Sequence, residues 1–229
     1  MRMNLEELIG QIREDKSLWK FSNGILYSLC KEHPLHVKKD EIIAKIWLIG
    51  RSYAASLERG ANKSKELFYE ERVVRAILEK SKEIDGAIKL LSENHDEKNV
   101  FNAYWTVLER FHEISGKWNV SLTSKYLHFH CPDVFFLYDS RASKAIGKVV
   151  KCLGLKNSIS FDEIKEFITC KKTDAQERMG DYVKFYKKCN LCVSEIRKRL
   201  GQKLSIRDFD NLLLRITDKE ISLNDIDAK

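Results

Sequence analysis

The chain has 229 residues, 43% of them apolar, and a formal charge of +7. That length suits one sizeable domain or two small intimate ones, and the lack of any run of about 18 apolar residues excludes a membrane-spanning helix. Acids stand where a signal peptide would carry its apolar stretch (Met1-Arg-Met-Asn-Leu-Glu-Glu-Leu-Ile9), so the chain reads as an unprocessed cytoplasmic protein.

Helical signals dominate in chain order. Asp40 can cap a segment carrying Ile42, Ile43, Ile46, Trp47, Ile49, Tyr53 and Leu57 at helical spacing. Arg51, Tyr53 and Arg59 on that segment read by default as core and rim, with a reach into the pocket around Lys125 as the alternative. Residues 65–92 carry a second pattern, with a break expected near Gly86. The polar run Glu93–Asn99 is the expected long loop. A third helix is expected over 98–115, stopped by Gly116. Ser160-Phe-Asp-Glu163 is a capping box, residues 174–200 read as a long helix ended by Gly201, and Ser205-Ile-Arg-Asp208 opens another. Val134–Tyr138 is too short and isolated for a sheet strand and suits a buried extended connector. The tail from Asn224 to Lys229 is expected to fray. The expectation is an all-α protein of nine or ten helices. It forms one helical unit over 1–229, with 1–116 and 117–229 as candidate subdomains.

The charge is unevenly placed. Residues 117–229 hold 22 Lys or Arg against 15 Asp or Glu, whereas the first 116 hold 19 of each. A one-sided basic surface is the footprint of a polyanion binder, and a soluble basic protein is the bland alternative. The run Lys184–Lys203, with Tyr182, Phe185 and Tyr186 interleaved, is either a solvated helix face or a nucleic-acid contact.

Cysteines 30, 131, 152, 170, 189 and 192 read as free thiols in a chain of this size and compartment. His128, His130 and Cys131 invite a metal reading, as does the Cys189–Cys192 spacing. No second Cys-x-x-Cys is present and no histidine follows position 130, so no metal is assigned. No phosphate loop, dinucleotide turn or Ser/His/Asp order occurs, and no cofactor is expected.

The segment Ser121–Asp139 carries the most chemistry. Lys125 and Asp139 stand at the two ends of an apolar, aromatic stretch. A lysine desolvated in apolar surroundings is an amine nucleophile, and a carboxylate handles its protons or steadies a developing cation. Gly116 ends one helix and a second is expected to start near Ser121 or Thr123. Amides there, with the hydroxyls of Ser121, Thr123 and Ser124, could hold a phosphate. Asp139 precedes Ser140-Arg141-Ala142-Ser143-Lys144, a helix start with Arg141 and Lys144 as further phosphate contacts.

This arrangement resembles the helix-hairpin-helix DNA glycosylases, and among them the smaller 8-oxoguanine DNA glycosylases. Ser121–Lys125 resembles the hairpin with its nucleophilic lysine. Phe135–Asp139 resembles the run ending in the essential aspartate, and Leu204–Leu214 is similar to the closing helix. The resemblance covers 117–145 with a weaker part at 204–216. It implies an all-α glycosylase-like fold with a helix-hairpin-helix near 105–130 and a DNA partner. RNA is the other polymer to consider. It also implies extrusion of a damaged purine and attack by neutral Lys125 on the sugar. Asp139 would stabilise the transition state, and Trp118, His128, Phe135, Tyr138 or Asp208 would line the base pocket. Two departures stand out. Ser121 and Thr123 replace the hairpin glycines, which allow positive φ and close phosphate approach. The lysine-to-aspartate interval is also about one helical turn short, a shift of roughly 5 Å. The rival reading is a noncatalytic nucleic-acid-binding protein on the same fold, a recognition subunit in phage defence or base modification. A plain helical interaction module is the third.

Overall fold

Two prolines in the whole chain leave little to interrupt helices, and the computed structural model is correspondingly all-α. It describes residues 3–14, 18–59, 67–94, 96–156, 173–217 and 226–227. The helices are α1 (Leu5–Glu14), α2 (Leu18–Glu32), α3 (Lys39–Ser52), α4 (Val74–Glu79), α5 (Ser81–Glu93), α6 (Glu97–Ser115), α7 (Val120–His130), α8 (Ser140–Cys152), α9 (Thr173–Leu200) and α10 (Ile206–Thr217). A wide π turn, Phe68–Val73, leads into α4. Met3–Asn4 pairs in parallel with Ile226–Asp227. Those two tail residues are therefore held, where fraying was expected. The Ser160 capping box and Cys170 lie outside the described residues.

Several boundaries differ from the sequence reading for physical reasons. The second helical pattern breaks at Lys80, whose φ of −118° is not helical, and Gly86 sits inside α5. A helical glycine costs only about 1 kcal/mol, less than burying Ile84 and Leu91 on either side contributes. The expected long loop is short, because Asp96 caps α6 by accepting from the Asn99 N–H at 2.8 Å. Asp40 lies in the first turn of α3, whose N-cap is Lys38. Gly116 does stop α6, with φ +72° and its N–H donating to the His112 carbonyl at 2.7 Å. The Ser205 box is formed. The Asp208 N–H donates to Ser205 Oγ at 3.0 Å, and the Ser205 N–H to Asp208 Oδ2 at 3.4 Å.

The chain divides into two units, Ser17–Phe135 and a second made of Met1–Lys16 with Phe136–Lys229. The division falls inside the connector after α7, rather than at 116/117, and the first sixteen residues belong with the C-terminal half. In the Ser17–Phe135 unit, α7 packs against α2, α3 and α6. Residues 122–129 of α7 are all buried, so the helix is covered on every side. In the other unit, α8 packs against α9 and α10, and α1 packs against α10. No helix among the described residues is long and apolar enough to cross a membrane.

Candidate functional site

A helix buried on every side has only the protein to satisfy its polar side chains. Helix α7 carries four such residues, Thr123, Ser124, Lys125 and His128, all at most 2% exposed. One of them, Thr123, has no partner at Oγ1. Ser124 Oγ donates to the Ser121 carbonyl at 2.9 Å. Lys125 Nζ donates to Ser121 Oγ at 2.7 Å, one turn earlier, and lies 5.7 Å from the centroid of the Tyr53 ring. Tyr53 is the residue after α3, and its hydroxyl donates to Asn23 Oδ1 on α2 at 2.7 Å. Ser121 and Tyr53 are partly exposed, whereas Lys125 is 2% exposed.

His128 is tied at both ring nitrogens. The Phe135 carbonyl, 2.8 Å from Nδ1, can only accept, so Nδ1 carries a proton. In the neutral ring Nε2 then accepts from the Tyr27 hydroxyl at 2.6 Å. Phe129 packs on both Tyr27 and Tyr53, with centroids 4.8 and 5.6 Å away. The amine therefore sits in a polar-aromatic cluster built from α2, the end of α3 and α7. Sequence reasoning missed Asn23 and Tyr27, and it weighed Tyr53 as a pocket residue but preferred a core-and-rim role. Their one signal is the aromatic, amide-bearing face of α2, which spacing along the chain does not link to α7.

The turn before α7 is held by side chains. Ser115 Oγ donates to the Phe111 carbonyl at 2.7 Å and accepts from Asn119 Nδ2 at 2.6 Å and the Lys117 N–H at 3.2 Å. The Tyr104 hydroxyl fastens the Val120 carbonyl at 2.9 Å. Helix α7 has begun by Val120, so Ser121 and Thr123 are ordinary helical residues. A glycine-type phosphate cradle is not formed there. Thr123 and Ser124 are 0% exposed and offer no surface hydroxyl, which leaves Ser121 alone of the three within reach of solvent.

The other expected site residues are spread out. Trp118 stacks on His112 of α6 at 3.8 Å with rings nearly parallel, and also meets Trp105. Phe135 is fully buried in the Ser17–Phe135 unit, where its carbonyl serves His128. Asp139, Tyr138, Arg141, Lys144 and Asp208 belong to the other unit. Asp139 caps α8, its Oδ1 accepting from the Arg141 N–H at 3.0 Å and the Ala142 N–H at 2.9 Å. Tyr138 packs edge-on against Tyr182 and Phe185, and burial pushes its hydroxyl pKa up. Asp208 closes its capping box and pairs with Arg13 at 3.6 Å. Arg141 and Lys144 are exposed on α8.

Along Lys184–Lys203, Tyr182, Phe185 and Tyr186 point into the core and cannot stack on bases. Arg197 donates to the Leu204 carbonyl, and Arg199 to Glu195 and the Leu153 carbonyl. Cys189 and Cys192 are buried i, i+3 neighbours on α9. No group of three metal-ligating side chains is assembled among the described residues.

A second buried cluster was not foreseen. His36, 0% exposed, faces Asp85 through Nδ1 and the Tyr126 hydroxyl through Nε2. Lys45, also 0% exposed, donates to the His33 and Leu35 carbonyls at 2.8 and 2.9 Å and clasps the end of α2. Burial pulls Lys45 below its ordinary value. Burial lowers His36 too, against the pull of Asp85. His130 stacks on His36 and is held well below its ordinary value by burial and by Lys45, and its Nε2 has no partner. Burial pushes the Cys30 thiol up to about 12 and Cys131 to about 11, which keeps both in the protonated thiol form.

Compared with family models, with curated proteins and with solved structures, the chain matches none.

Proposed function

We propose that the protein is a DNA glycosylase-like enzyme that removes a damaged or modified purine through a Schiff base on Lys125. The observation that carries the reading is the interior amine. Lys125 is 2% exposed on a helix covered on every side, beside a hydroxyl and an aromatic ring. Desolvation is an ordinary way to activate a lysine as nucleophile. The likeness of Ser121–Lys125 and Phe135–Asp139 to the glycosylase pattern supplies the substrate class.

In the reaction, the neutral amine forms a bond to the anomeric carbon while the glycosidic C–N bond breaks. The electron pair leaves with the purine, which takes a proton, and the new C–N centre sheds a proton from nitrogen. Opening of the sugar ring gives the iminium, from which strand cleavage follows by β-elimination. The reading gives Asp139 the stabilisation of positive charge on the sugar.

The test is base release. Duplex DNA carrying 8-oxoguanine should lose the base and be nicked by the wild type, and Lys125→Gln should do neither while binding the duplex unchanged. Equal release by Lys125→Gln would overturn the assignment.

A noncatalytic nucleic-acid-binding role, in phage defence or base modification, is the second reading. The missing hairpin glycines, replaced by ordinary helical residues at Ser121 and Thr123, favour it. It predicts salt-dependent binding with no base release by either protein.

A further inference from the structure

Helix α8 is amphipathic in an unusual way. Its apolar face, Ala142, Ala145, Ile146, Val149 and Val150, is buried, and the helix packs on α9 and α10. Its outward face shows Arg141, Lys144, Lys148 and Lys151, all exposed, at intervals of three, four and three residues. That spacing keeps them on one stripe. The helix contains no acid, and no carboxylate among the described residues pairs with Lys144, Lys148 or Lys151. The residues between the cations are small. Ser143 and Gly147 are exposed, and a Cβ added at Gly147 would meet nothing within 4 Å.

We infer that this face is a docking surface for the phosphate backbone of duplex DNA. From Arg141 to Lys151 the helix rises about 15 Å. Successive phosphates of one strand lie about 7 Å apart along the winding backbone, about twice their rise of about 3.4 Å on the duplex axis, so a stripe of that length faces about three. Four cations thus meet about three phosphates, with no bulky side chain between to hold the backbone away. A lipid surface fits less well. A helix lying on a membrane inserts an apolar face, and the apolar face of α8 is already used by the protein core. The choice of DNA as the polyanion rests on the function proposed above, but the surface does not depend on Lys125.

The experiment measures affinity for a labelled duplex between about 50 and 200 mM salt. Arg141→Gln, Lys144→Gln, Lys148→Gln and Lys151→Gln are combined in one variant. The expected result is a log–log salt slope shallower than wild type by about 3, at about 0.9 for each phosphate left without its cation. Lys144→Gln with Lys148→Gln should give about half that change. A control removes four exposed lysines of the other unit (Lys31, Lys82, Lys89 and Lys98), and its slope should change by less than about 1. All these side chains are exposed and glutamine keeps helix propensity, so helical circular dichroism should be unchanged. A slope change below about 1 in the α8 variant, an equal change in the control, or binding to phosphatidylserine vesicles in place of duplex would each overturn the inference. The Lys125→Gln result is read separately. Base release with an unaltered α8 slope sinks only the surface, and a lowered slope without base release sinks only the lyase reading.

Discussion

At the scale of single residues, α7 shows how an interior helix accommodates polar groups. Lys125 donates to a hydroxyl one turn earlier, whereas His128 draws its partners from 101 residues earlier and seven later in the chain. Tyr27→Phe leaves His128 Nε2 without its donor. It should cost about 1–2 kcal/mol, read as a lower urea midpoint with an unchanged slope. The His36 cluster predicts acid sensitivity. Unfolded histidines take up protons as pH falls through about 6.5, whereas folded His36 and His130 resist until lower pH. Between those values the unfolded chain binds more protons, so stability is full above about 6.5 and declines as pH drops. Asp85 adds a loss at lower pH. Burial would raise its carboxyl, but the His36 ring and backbone N–H groups outweigh that and hold it below its ordinary value. Its contribution is present above about 4 and disappears as pH falls through the folded value. Guanidinium midpoints at pH 7.5, 6.5 and 5.5 should fall in that order, and His130→Leu should flatten the drop. A flat wild-type series would contradict this account.

At the scale of elements, local chemistry was legible and long-range contact was not. The left-handed Gly116, the Ser205–Asp208 box and the Asp139 cap are each decided by a few neighbouring residues. So is the extended connector, in which Phe135, Phe136 and Leu137 are buried as their apolar run implies. Asn23 and Tyr27 were missed as neighbours of α7, and Tyr53 was read first as core and rim, because they stand far from it along the chain and no periodicity records that. The same holds for His36 and Tyr126. The cap at Asp139 gives a test that separates structure from charge. Asp139→Ala should lose about 1 kcal/mol of stability, whereas Asp139→Asn, an equally good cap, should lose little. If Asp139 also serves chemistry, Asp139→Asn should retain the melting temperature and still lose base release. Equal melting losses in both variants would contradict the capping account.

At the scale of the whole molecule, the charge follows the structural units less sharply than the sequence halves. The unit holding α8 to α10 and the first sixteen residues carries 23 basic against 18 acidic residues, and the unit holding Lys125 carries 18 against 16. Both are basic, and the greater excess lies with the α8 face. The amine and the basic stripe thus belong to different units. This division is why binding and chemistry can be tested by separate substitutions. The measurement that bears most directly on the central claim is reductive trapping. Borohydride is added to the protein with an 8-oxoguanine duplex, and the adduct is digested and mapped by mass. The account predicts a covalent adduct on the peptide containing Lys125, absent from Lys125→Gln. An adduct on another lysine, or none from wild-type protein that binds the duplex, would contradict it.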